Sequence, residues 1–249
     1  MRIVVVGGTG LIGSKVVDRL NAEGHEVVSA APSTGIDTLT GEGLDEALAG
    51  ADVVVDVSNS PSFADEDVMN FFVTATTNIL AAEKDTGVKH HVALSVVGTG
   101  SLPDSGYLQA KDAQERLIKE SGTPYSIIRA TQFFEFTQAI ADGSTIDGKL
   151  HLAPVHYQPI ASDDVASVVA RVALATPLDD IKEIGGPERV RMDRFIPAAL
   201  AENGDAREVV VDEHATYFGT ELADDSLVPG PDAELGSLSF EVWAKESWS

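Results

Sequence analysis

The sequence lacks cysteine and is poor in positive charge, and each shortage removes a class of function. With no cysteine, the chain has no disulfide framework, thiol nucleophile or thiolate metal ligand. Its 17 lysines and arginines stand against 40 aspartates and glutamates, a formal net charge of −23. Because nucleic acids are bound by clustered cations, we expect no nucleic-acid partner. No apolar run approaches the ~20 residues of a membrane span, so we expect no membrane partner either.

The acidic residues are spread along the chain, which favours a solvated surface over a metal site, and we predict no metal. The chain has 249 residues, 43% of them hydrophobic, which suits one large α/β domain with a packed core. An apolar, β-branched run begins at residue 3 and leaves no room for a signal peptide. We therefore expect a cytoplasmic protein.

The first fifteen residues, MRIVVVGGTGLIGSK, have the pattern of a strand, a glycine turn and a helix. Residues 3–6 are too few for a helix, whereas apolar residues recur at helical spacing from residue 11 onward. Glycines in such a turn let the backbone approach a pyrophosphate, and the helix N-terminus offers N–H groups and a favourable dipole. The glycines of this turn match two motifs, GxGxxG from residue 8 and GxxGxxG from residue 7. We predict that the dinucleotide is bound by Gly7, Thr9, Gly10, Leu11, Ile12 and Gly13.

Strand and helix patterns alternate along the chain and predict an α/β fold with a doubly wound, Rossmann-like parallel sheet. The expected strands are residues 3–6, 25–30, 36–38, 52–57, 88–97 and 125–130. The pattern weakens after about residue 135, although 162–175 and 192–202 have helical periodicity. We expect a dinucleotide-binding core over residues 1–155. Residues 156–249 should form a C-terminal region on the same domain, with a small lobe that covers the substrate.

The loop after the second predicted strand bears on the choice of cofactor. An acidic residue there would bind the ribose 2′-hydroxyl of NAD, and an arginine would bind the 2′-phosphate of NADP. The loop, residues 31–35, has neither. The hydroxyls of Ser33 and Thr34 could hydrogen-bond a 2′-phosphate, which favours NADP with NAD as the alternative. The same hydroxyls are also ordinary turn residues.

Tyr107 and Lys111 are the candidate catalytic pair. Their separation of four residues places them on one face of a predicted helix. A nearby ammonium would stabilise the phenolate, lowering the pKa of the tyrosine from ~10 so that it can protonate a carbonyl. Ser95, twelve residues before the tyrosine, could hydrogen-bond the substrate oxygen. The alternatives are a chance pair on an exposed helix and a structural serine.

Other candidate residues follow the ends of predicted strands, where sheets of this kind bind ligands. Ser58 and Asn59 follow the strand at 52–57 and are candidates for cofactor binding. The segment after the strand at 125–130 and the aromatic residues of the C-terminal region are candidates for substrate binding, since small-molecule sites favour aromatic linings. These are Gln132, Phe133, Phe134, Tyr217 and Phe218.

The chain resembles the short-chain dehydrogenase/reductase superfamily, in its atypical NmrA-like branch. The resemblance covers roughly residues 1–200 and rests on GGTGLIG at 7–13, Asp37, Ser95, Tyr107-x-x-x-Lys111, PYSIIRA at 124–130 and QFFE at 132–135. It implies that Gly7, Gly10 and Gly13 bind the pyrophosphate and that Asp37 lies beside the adenine. It also implies that Ser58 and Asn59 lie near the ribose, that Lys111 contacts the nicotinamide ribose, and that the nicotinamide is bordered by Thr131, Gln132 and Phe133.

These features predict an NAD(P)H-dependent oxidoreductase that reduces a small carbonyl, quinone or similar unsaturated molecule. The main alternative is a protein that binds the dinucleotide without turnover and senses its redox state, because the NmrA-like branch includes such regulators. An enzyme of the sugar-nucleotide epimerase type shares the early motifs but usually has a longer substrate domain. A small-molecule substrate is the expected partner, and a homodimer is compatible with these features.

Overall fold

The computed structural model describes residues 1–247. Its strands are β1 (Arg2–Val6), β2 (Glu26–Ala30), β3 (Val53–Asp56), β4 (His90–Val96), β5 (Tyr125–Ala130), β6 (Thr145–Ile146), β7 (Lys149–Leu152), β8 (His156–Tyr157), β9 (Asp180–Gly185), β10 (Val190–Arg191), β11 (Val209–Val211), β12 (Thr216–Tyr217), β13 (Thr220–Glu221) and β14 (Glu234–Leu235). Its α-helices are α1 (Leu11–Ala22), α2 (Leu44–Leu48), α3 (Asp65–Thr86), α4 (Gly106–Glu120), α5 (Thr137–Gly143), α6 (Ser162–Ala173), α7 (Met192–Glu202) and α8 (Phe240–Ser247).

The central sheet has seven parallel strands in the order β14-β9-β5-β4-β3-β1-β2. Strands covered on both faces read as continuous apolar runs, and VVV in β3 is fully buried for that reason. Alternate side chains of β1 enter two cores. Ile3 and Val5 pack into the core that includes α1 and α6, whereas Val4 and Val6 pack into the core that includes α2 and α3. The predicted doubly wound α/β fold is confirmed.

The chain reverses direction across the sheet at β1. It passes from β1 to β2 on one side and then returns to β3 on the other. Ligands of open α/β sheets bind at such a switch, because the loops that leave the two strands separate there. The glycine turn follows β1 directly, so the fold places it at the switch.

The strand expected at residues 36–38 does not form, and β2 is the edge of the sheet. A short 3-10 turn, Pro32–Thr34, follows β2. The carboxylate of Asp37 then accepts hydrogen bonds from the backbone N–H groups of Leu39 (2.8 Å) and Thr40 (3.3 Å). Such side-chain bonds to nearby backbone N–H groups compete with strand pairing and favour a turn.

The C-terminal part of the chain contributes to the sheet as well as to a lobe above it. Strands β9 and β14 extend the sheet beyond β5, and α6 packs into the same core as α1. The lobe contains the three-stranded sheet β11-β7-β6, the pair β10-β8 and the hairpin β12-β13. Its core joins α5 and α7 around Leu150, Tyr157 and Ile196. Within residues 1–247, we find no helix with both the length and the apolar character needed to cross a membrane.

Candidate functional site

A cleft of about 1020 Å³ runs from the glycine turn after β1 to the β12-β13 hairpin of the lobe. It lies at the carboxyl ends of the strands, as the switch in strand order requires. Most of the predicted site residues line it: Gly7, Thr9, Gly10, Leu11, Ile12, Asp37, Ser58, Asn59, Ser95, Tyr107, Lys111, Thr131, Gln132, Phe133, Tyr217 and Phe218. Gly13, Ser33, Thr34 and Phe134 lie outside the lining.

Glycine is needed at positions 7, 10 and 13 of the turn for different structural reasons. Gly7 has a φ of +77°, and a Cβ there would lie 2.8 Å from the Cα of Ser58. A Cβ on Gly13 would lie 2.1 Å from the carbonyl oxygen of Gly7, so Gly13 is needed for helix α1 to pack on the turn. At Gly10 a Cβ would meet only the Gly7 oxygen, at 3.2 Å. Gly10 therefore keeps the space in front of α1 open.

This turn suits the pyrophosphate of a dinucleotide. Gly10 is the N-cap of α1, no side chain caps the helix, and its first turn has no acidic residue. The first N–H groups of a helix have no partner within it, and the helix dipole favours an anion there. An anion in front of Gly10 would thus meet backbone donors rather than carboxylates, despite the negative charge of the whole chain.

At the adenosine end, the turn after β2 does not present its hydroxyls to the cleft. The Thr34 hydroxyl donates to the carbonyl oxygens of Ser29 and Ala31, both at 2.9 Å, and so stabilises the turn. Asp37 does line the cleft. Among the described residues, Asp37 and Lys111 are the charged members of the lining, and no arginine belongs to it.

Lys111 is 2% exposed and lies in a network that the sequence did not reveal. Its ammonium donates to the Leu94 carbonyl oxygen at 2.9 Å and to the side-chain oxygen of Gln114. The Gln114 amide in turn donates to buried Asp56 at 2.9 Å, and Asp56 accepts the Ser58 hydroxyl at 2.6 Å. Burial lowers the pKa of Lys111 to about 8, although the carboxylates of Asp56 and Glu115 oppose this shift.

Tyr107 lines the cleft one helical turn from Lys111, but the two side chains have different partners. The Tyr107 hydroxyl donates to the side-chain oxygen of Asn59 at 3.2 Å. Burial raises the pKa of Tyr107 above its usual value. The expectation that Lys111 lowers this pKa is wrong, because the ammonium is directed to Leu94 and Gln114 and the desolvation of the phenolate dominates.

Ser95 is at the cleft, but its hydroxyl already has an acceptor. It donates to Glu115 at 2.7 Å, and Glu115 also accepts two hydrogen bonds from Arg129, both at 2.8 Å. Burial acts to raise the pKa of Glu115, but the hydrogen bonds from Arg129 and Ser95 outweigh it and hold the pKa below its usual value. A role for Ser95 toward a substrate would require the bond to Glu115 to break. The positions 111, 114 and 115 are i, i+3 and i+4 on one helix face, a signal that could have indicated these clusters.

The lobe end of the cleft is aromatic. Tyr107 is stacked with Phe218 at 5.6 Å between ring centroids and contacts Phe63 at 5.7 Å. Phe133 and Phe136 stack at 5.4 Å. Phe63 and Phe136 were not predicted, since Phe63 lies in a loop and Phe136 lies just beyond the predicted segment that ends at Phe134. Phe218 has a φ of +47°, a left-handed conformation that is uncommon for a bulky residue.

Phe134 is the predicted substrate residue that lies elsewhere. It is 2% exposed and packs against Phe195, Phe240 and Trp243 in the interior of the C-terminal region. The 3-10 turn Phe134–Phe136 is the cause, because it turns Phe134 away from its neighbours Phe133 and Phe136, which line the cleft. The prediction of Phe134 as a wall of the cleft is therefore not met.

Several buried polar groups at this end lack a hydrogen bond of normal geometry to any residue within 1–247. Gln132 is 6% exposed, and neither atom of its amide has a hydrogen bond of normal geometry. The Thr131 hydroxyl and the Tyr157 hydroxyl are likewise buried without a partner. Burial raises the pKa of Tyr217, and the nearby amide of Gln132 opposes that rise. Unpaired buried polar groups are costly and mark sites where a ligand or water binds.

A cluster of possible metal ligands lies outside the cleft. His156, Asp224 and Asp225 each offer one ligand atom, and these three atoms lie within 4.8 Å of one another. The Arg189 guanidinium donates to Asp225 and lies 2.9 Å from Nδ1 of His156, so a cation already pairs with the cluster. The expectation of no metal stays a prediction.

Comparison with known proteins agrees with the motifs. The sequence profile of a family described as NAD(P)H-binding matches residues 7–176. A divinyl chlorophyllide a 8-vinyl-reductase of Cucumis sativus is 30% identical over 225 residues, covering 74% of this chain and 52% of that protein. A (4-alkanoyl-5-oxo-2,5-dihydrofuran-3-yl)methyl phosphate reductase of Streptomyces griseus is 27% identical, covering 76% of this chain and 69% of that protein. The photosystem II assembly factor Ycf39 of Synechocystis is 24% identical, covering 73% and 60%. The chain thus spans about half the length of the cucumber protein.

Solved structures support the fold. A dTDP-glucose 4,6-dehydratase of Streptomyces venezuelae with NAD bound has a TM-score of 0.73 at 18% identity, covering 99% of this chain and 98% of that one. A dTDP-4-dehydrorhamnose reductase of Bacillus anthracis in complex with NADP has a TM-score of 0.67 at 13% identity, covering 96% and 90%. The chain therefore belongs to the NAD(P)H-binding family, in the NmrA-like atypical short-chain dehydrogenase/reductase group that its motifs resemble.

Proposed function

We propose that the protein is an NAD(P)H-dependent reductase of a small carbonyl, quinone or similar conjugated substrate. The observation that carries the proposal is the continuous cleft, which joins the glycine turn to an aromatic pocket that includes Tyr107. One ligand at the turn and another beneath the lobe would meet in the same cleft. The Cucumis and Streptomyces relatives, both named as reductases, support this class of reaction.

In this proposal, the turn around Gly10 and the first turn of α1 bind the pyrophosphate, and Asp37 faces the adenosine. Ser58 and Asn59 contact the adjoining ribose, and Thr131 borders the nicotinamide. The dihydronicotinamide supplies a hydride when bound. The residues of the protein then have three tasks: to orient the cofactor, to exclude water, and to deliver one proton.

Tyr107 is the proposed proton donor. The phenol is protonated at neutral pH, as it is at the ordinary tyrosine pKa of ~10, although burial raises that pKa and so opposes release of the proton. The substrate gains the hydride and one proton, which together add two electrons and two hydrogens: a ketone becomes an alcohol and a quinone becomes a hydroquinone. The phenolate is protonated again from solvent at the open side of the cleft. Lys111 is a positioning residue here, since its ammonium joins α4 to β4 through the Leu94 carbonyl and also binds Gln114, whose amide donates to Asp56 at the end of β3.

A second candidate function is binding of the dinucleotide without turnover, as in a redox sensor. Two observations favour it: the hydroxyl of Ser95 is engaged by Glu115, and Lys111 does not activate Tyr107. The relative from Synechocystis, which is named as an assembly factor, is in line with this alternative.

Replacing Tyr107 with phenylalanine separates the two functions. For a reductase, Tyr107→Phe keeps the ring and its stacking on Phe218, so cofactor affinity holds while the rate of NAD(P)H oxidation falls by about 10²-fold. Tyr125→Phe, in a tyrosine outside the cleft lining, is the matched control and keeps the full rate. Rates are measured by absorbance of the reduced cofactor with a panel of ketones, enones and quinones. A protein that binds NAD(P)H but oxidises it with no member of the panel is a sensor.

A further inference from the structure

The lobe end of the cleft contains no charged side chain among the described residues. Its walls are apolar or aromatic and include Phe63, Phe133, Phe136, Ile140, Tyr217 and Phe218. The exposed rings of Phe63, Phe136 and Phe218 belong to the same lining. Ligand pockets of this kind bury apolar surface and use a few polar groups to orient the ligand.

Neither charged residue of the lining is available to a substrate anion. Asp37 lies with the turn after β2, at the opposite end of the cleft, and is itself acidic. Lys111 is buried, and its ammonium is held by the Leu94 carbonyl and Gln114. The side chains that recognise phosphate or carboxylate are those of Arg and Lys, which act as charge-assisted donors. An anionic group beneath the lobe would thus be desolvated without a partner, inside a chain of net charge −23.

Gln132 supplies the polar recognition group at this end. Its amide offers two N–H donors and one acceptor, is buried, and has no hydrogen bond of normal geometry. The Tyr217 phenol is close enough for the amide to act on its pKa as a hydrogen-bonding group, and a ligand oxygen at the amide would share or replace that weak contact. A carbonyl oxygen on a ligand would satisfy the amide donors, and the stacked rings of Phe133 and Phe136 offer a flat apolar surface beside it.

We infer that the substrate is an uncharged, planar, conjugated carbonyl compound whose oxygen is bound by Gln132, and that phosphate esters and nucleotide sugars are excluded. This substrate class rests on the proposed reductase function, although binding tests it without turnover. The inferred substrate class differs from the phosphate ester that appears in the name of the Streptomyces griseus relative. It also differs from UDP-glucose, which is bound in a solved structure of similar fold.

The test compares 1,4-naphthoquinone with 1,4-naphthoquinone-2-sulfonate, which share a ring system and differ by one negative charge. Binding to the protein saturated with oxidised cofactor is measured by calorimetry, with UDP-glucose as a third probe. The absence of cysteine removes the usual thiol adducts of quinones. We expect the neutral quinone to bind at least 100-fold more tightly than the other two. Equal or tighter binding of either anion, or no binding of the quinone to a protein that binds the cofactor, overturns the inference.

Two variants locate the site. Gln132→Met should weaken quinone binding at least 10-fold in a protein that still binds the cofactor, because the quinone oxygen loses its hydrogen-bond donor. Phe136→Arg adds a cation at an exposed position of the lining and should strengthen sulfonate binding at least 10-fold. Leu178→Arg, equally exposed but outside the lining, is the control and should change nothing.

Unchanged binding in both lining variants overturns the placement of the substrate. Quinone binding without oxidation of NAD(P)H leaves this inference standing and contradicts the reductase instead.

Discussion

At the scale of single residues, the glycines of the first turn separate binding from folding. Gly10→Val would place a branched side chain in the open space before α1, where the pyrophosphate is expected. We expect a loss of cofactor affinity of at least 100-fold with little change in melting temperature, measured by calorimetry and circular dichroism.

Gly13→Val is the matched control for that variant. It would force a Cβ to within 2.1 Å of backbone at Gly7 and should lower the melting temperature itself. A Gly10→Val protein that binds NADH normally contradicts the assignment of the turn.

Asp37 bears on the choice between NAD and NADP. The hydroxyls that suggested NADP lie outside the cleft lining, and Thr34 uses its hydroxyl in a turn. A 2′-phosphate at this end would meet the carboxylate of Asp37 and no cation from the lining. We expect NADH to bind at least 10-fold more tightly than NADPH. Asp37→Ser should reduce this difference in affinity between the two cofactors. Titration of both proteins with both cofactors checks this, and tighter binding of NADPH to the wild type refutes it.

The sequence predicted which residue types gather at the cleft, but not their partners. Spacing correctly placed Tyr107 and Lys111 on one face of α4. Spacing could also have indicated the contact of Lys111 with Gln114, three residues further on, but not the contact with the Leu94 carbonyl, which depends on how the helix packs against β4. The engagement of Ser95 with Glu115 was hidden for the same reason.

At the scale of elements, α4 is attached to the sheet by a buried ion pair. Glu115 is 1% exposed and accepts hydrogen bonds from Arg129 on β5 and Ser95 on β4. Arg129→Met removes two hydrogen bonds from the buried carboxylate and leaves it only Ser95 and the more distant Lys119 at 3.3 Å, so it should destabilise the fold by about 3 kcal/mol. Arg116→Met removes an exposed pair with Asp112 on the same helix and should cost less than about 1 kcal/mol.

Urea denaturation at pH 7 measures both variants, and equal effects would contradict the prediction. The pH dependence follows from the pKa of Glu115, which lies below its ordinary value of 4.5 in the folded protein. The stabilisation is therefore fully present above that ordinary pKa and is lost as the pH falls through the folded one. The difference between wild type and Arg129→Met should accordingly shrink in acid.

Periodicity predicted the long elements well and the short ones poorly. The helical patterns at 162–175 and 192–202 correspond to the helices Ser162–Ala173 and Met192–Glu202. Residues 36–38 look like a strand in sequence, but the local hydrogen bonds of Asp37 decide their structure. The β12-β13 hairpin was not predicted, since its turn places Phe218, rather than the usual glycine or asparagine, in a left-handed conformation.

At the scale of the whole molecule, the net charge of −23 opposes both folding and the binding of an anionic cofactor. Salt shortens the range of that repulsion from about 10 Å at 0.1 M to about 3 Å at 1 M. We expect the melting temperature to rise by about 4 °C or more over this range, equivalent to roughly 1–2 kcal/mol.

Cofactor affinity should rise with salt as well. Differential scanning calorimetry and titration are the measurements, and both effects should vanish near the isoelectric point of about 4.4. A melting temperature that falls as salt is added at pH 7 rules this account out.

The packing of α6 has a consequence for biosynthesis. Residues that belong to β1, β4 and β5 share a core with α6, which lies more than thirty residues after β5 in the chain. A ribosome adds about 5–20 residues per second, so residues 131–173 take roughly 2–9 s to synthesise. Until then, one apolar face of the nascent sheet lacks the helix α6 that covers it in the folded protein. During that interval the exposed face is a natural substrate for a chaperone, and slowed translation between residues 131 and 173 would lengthen the exposure.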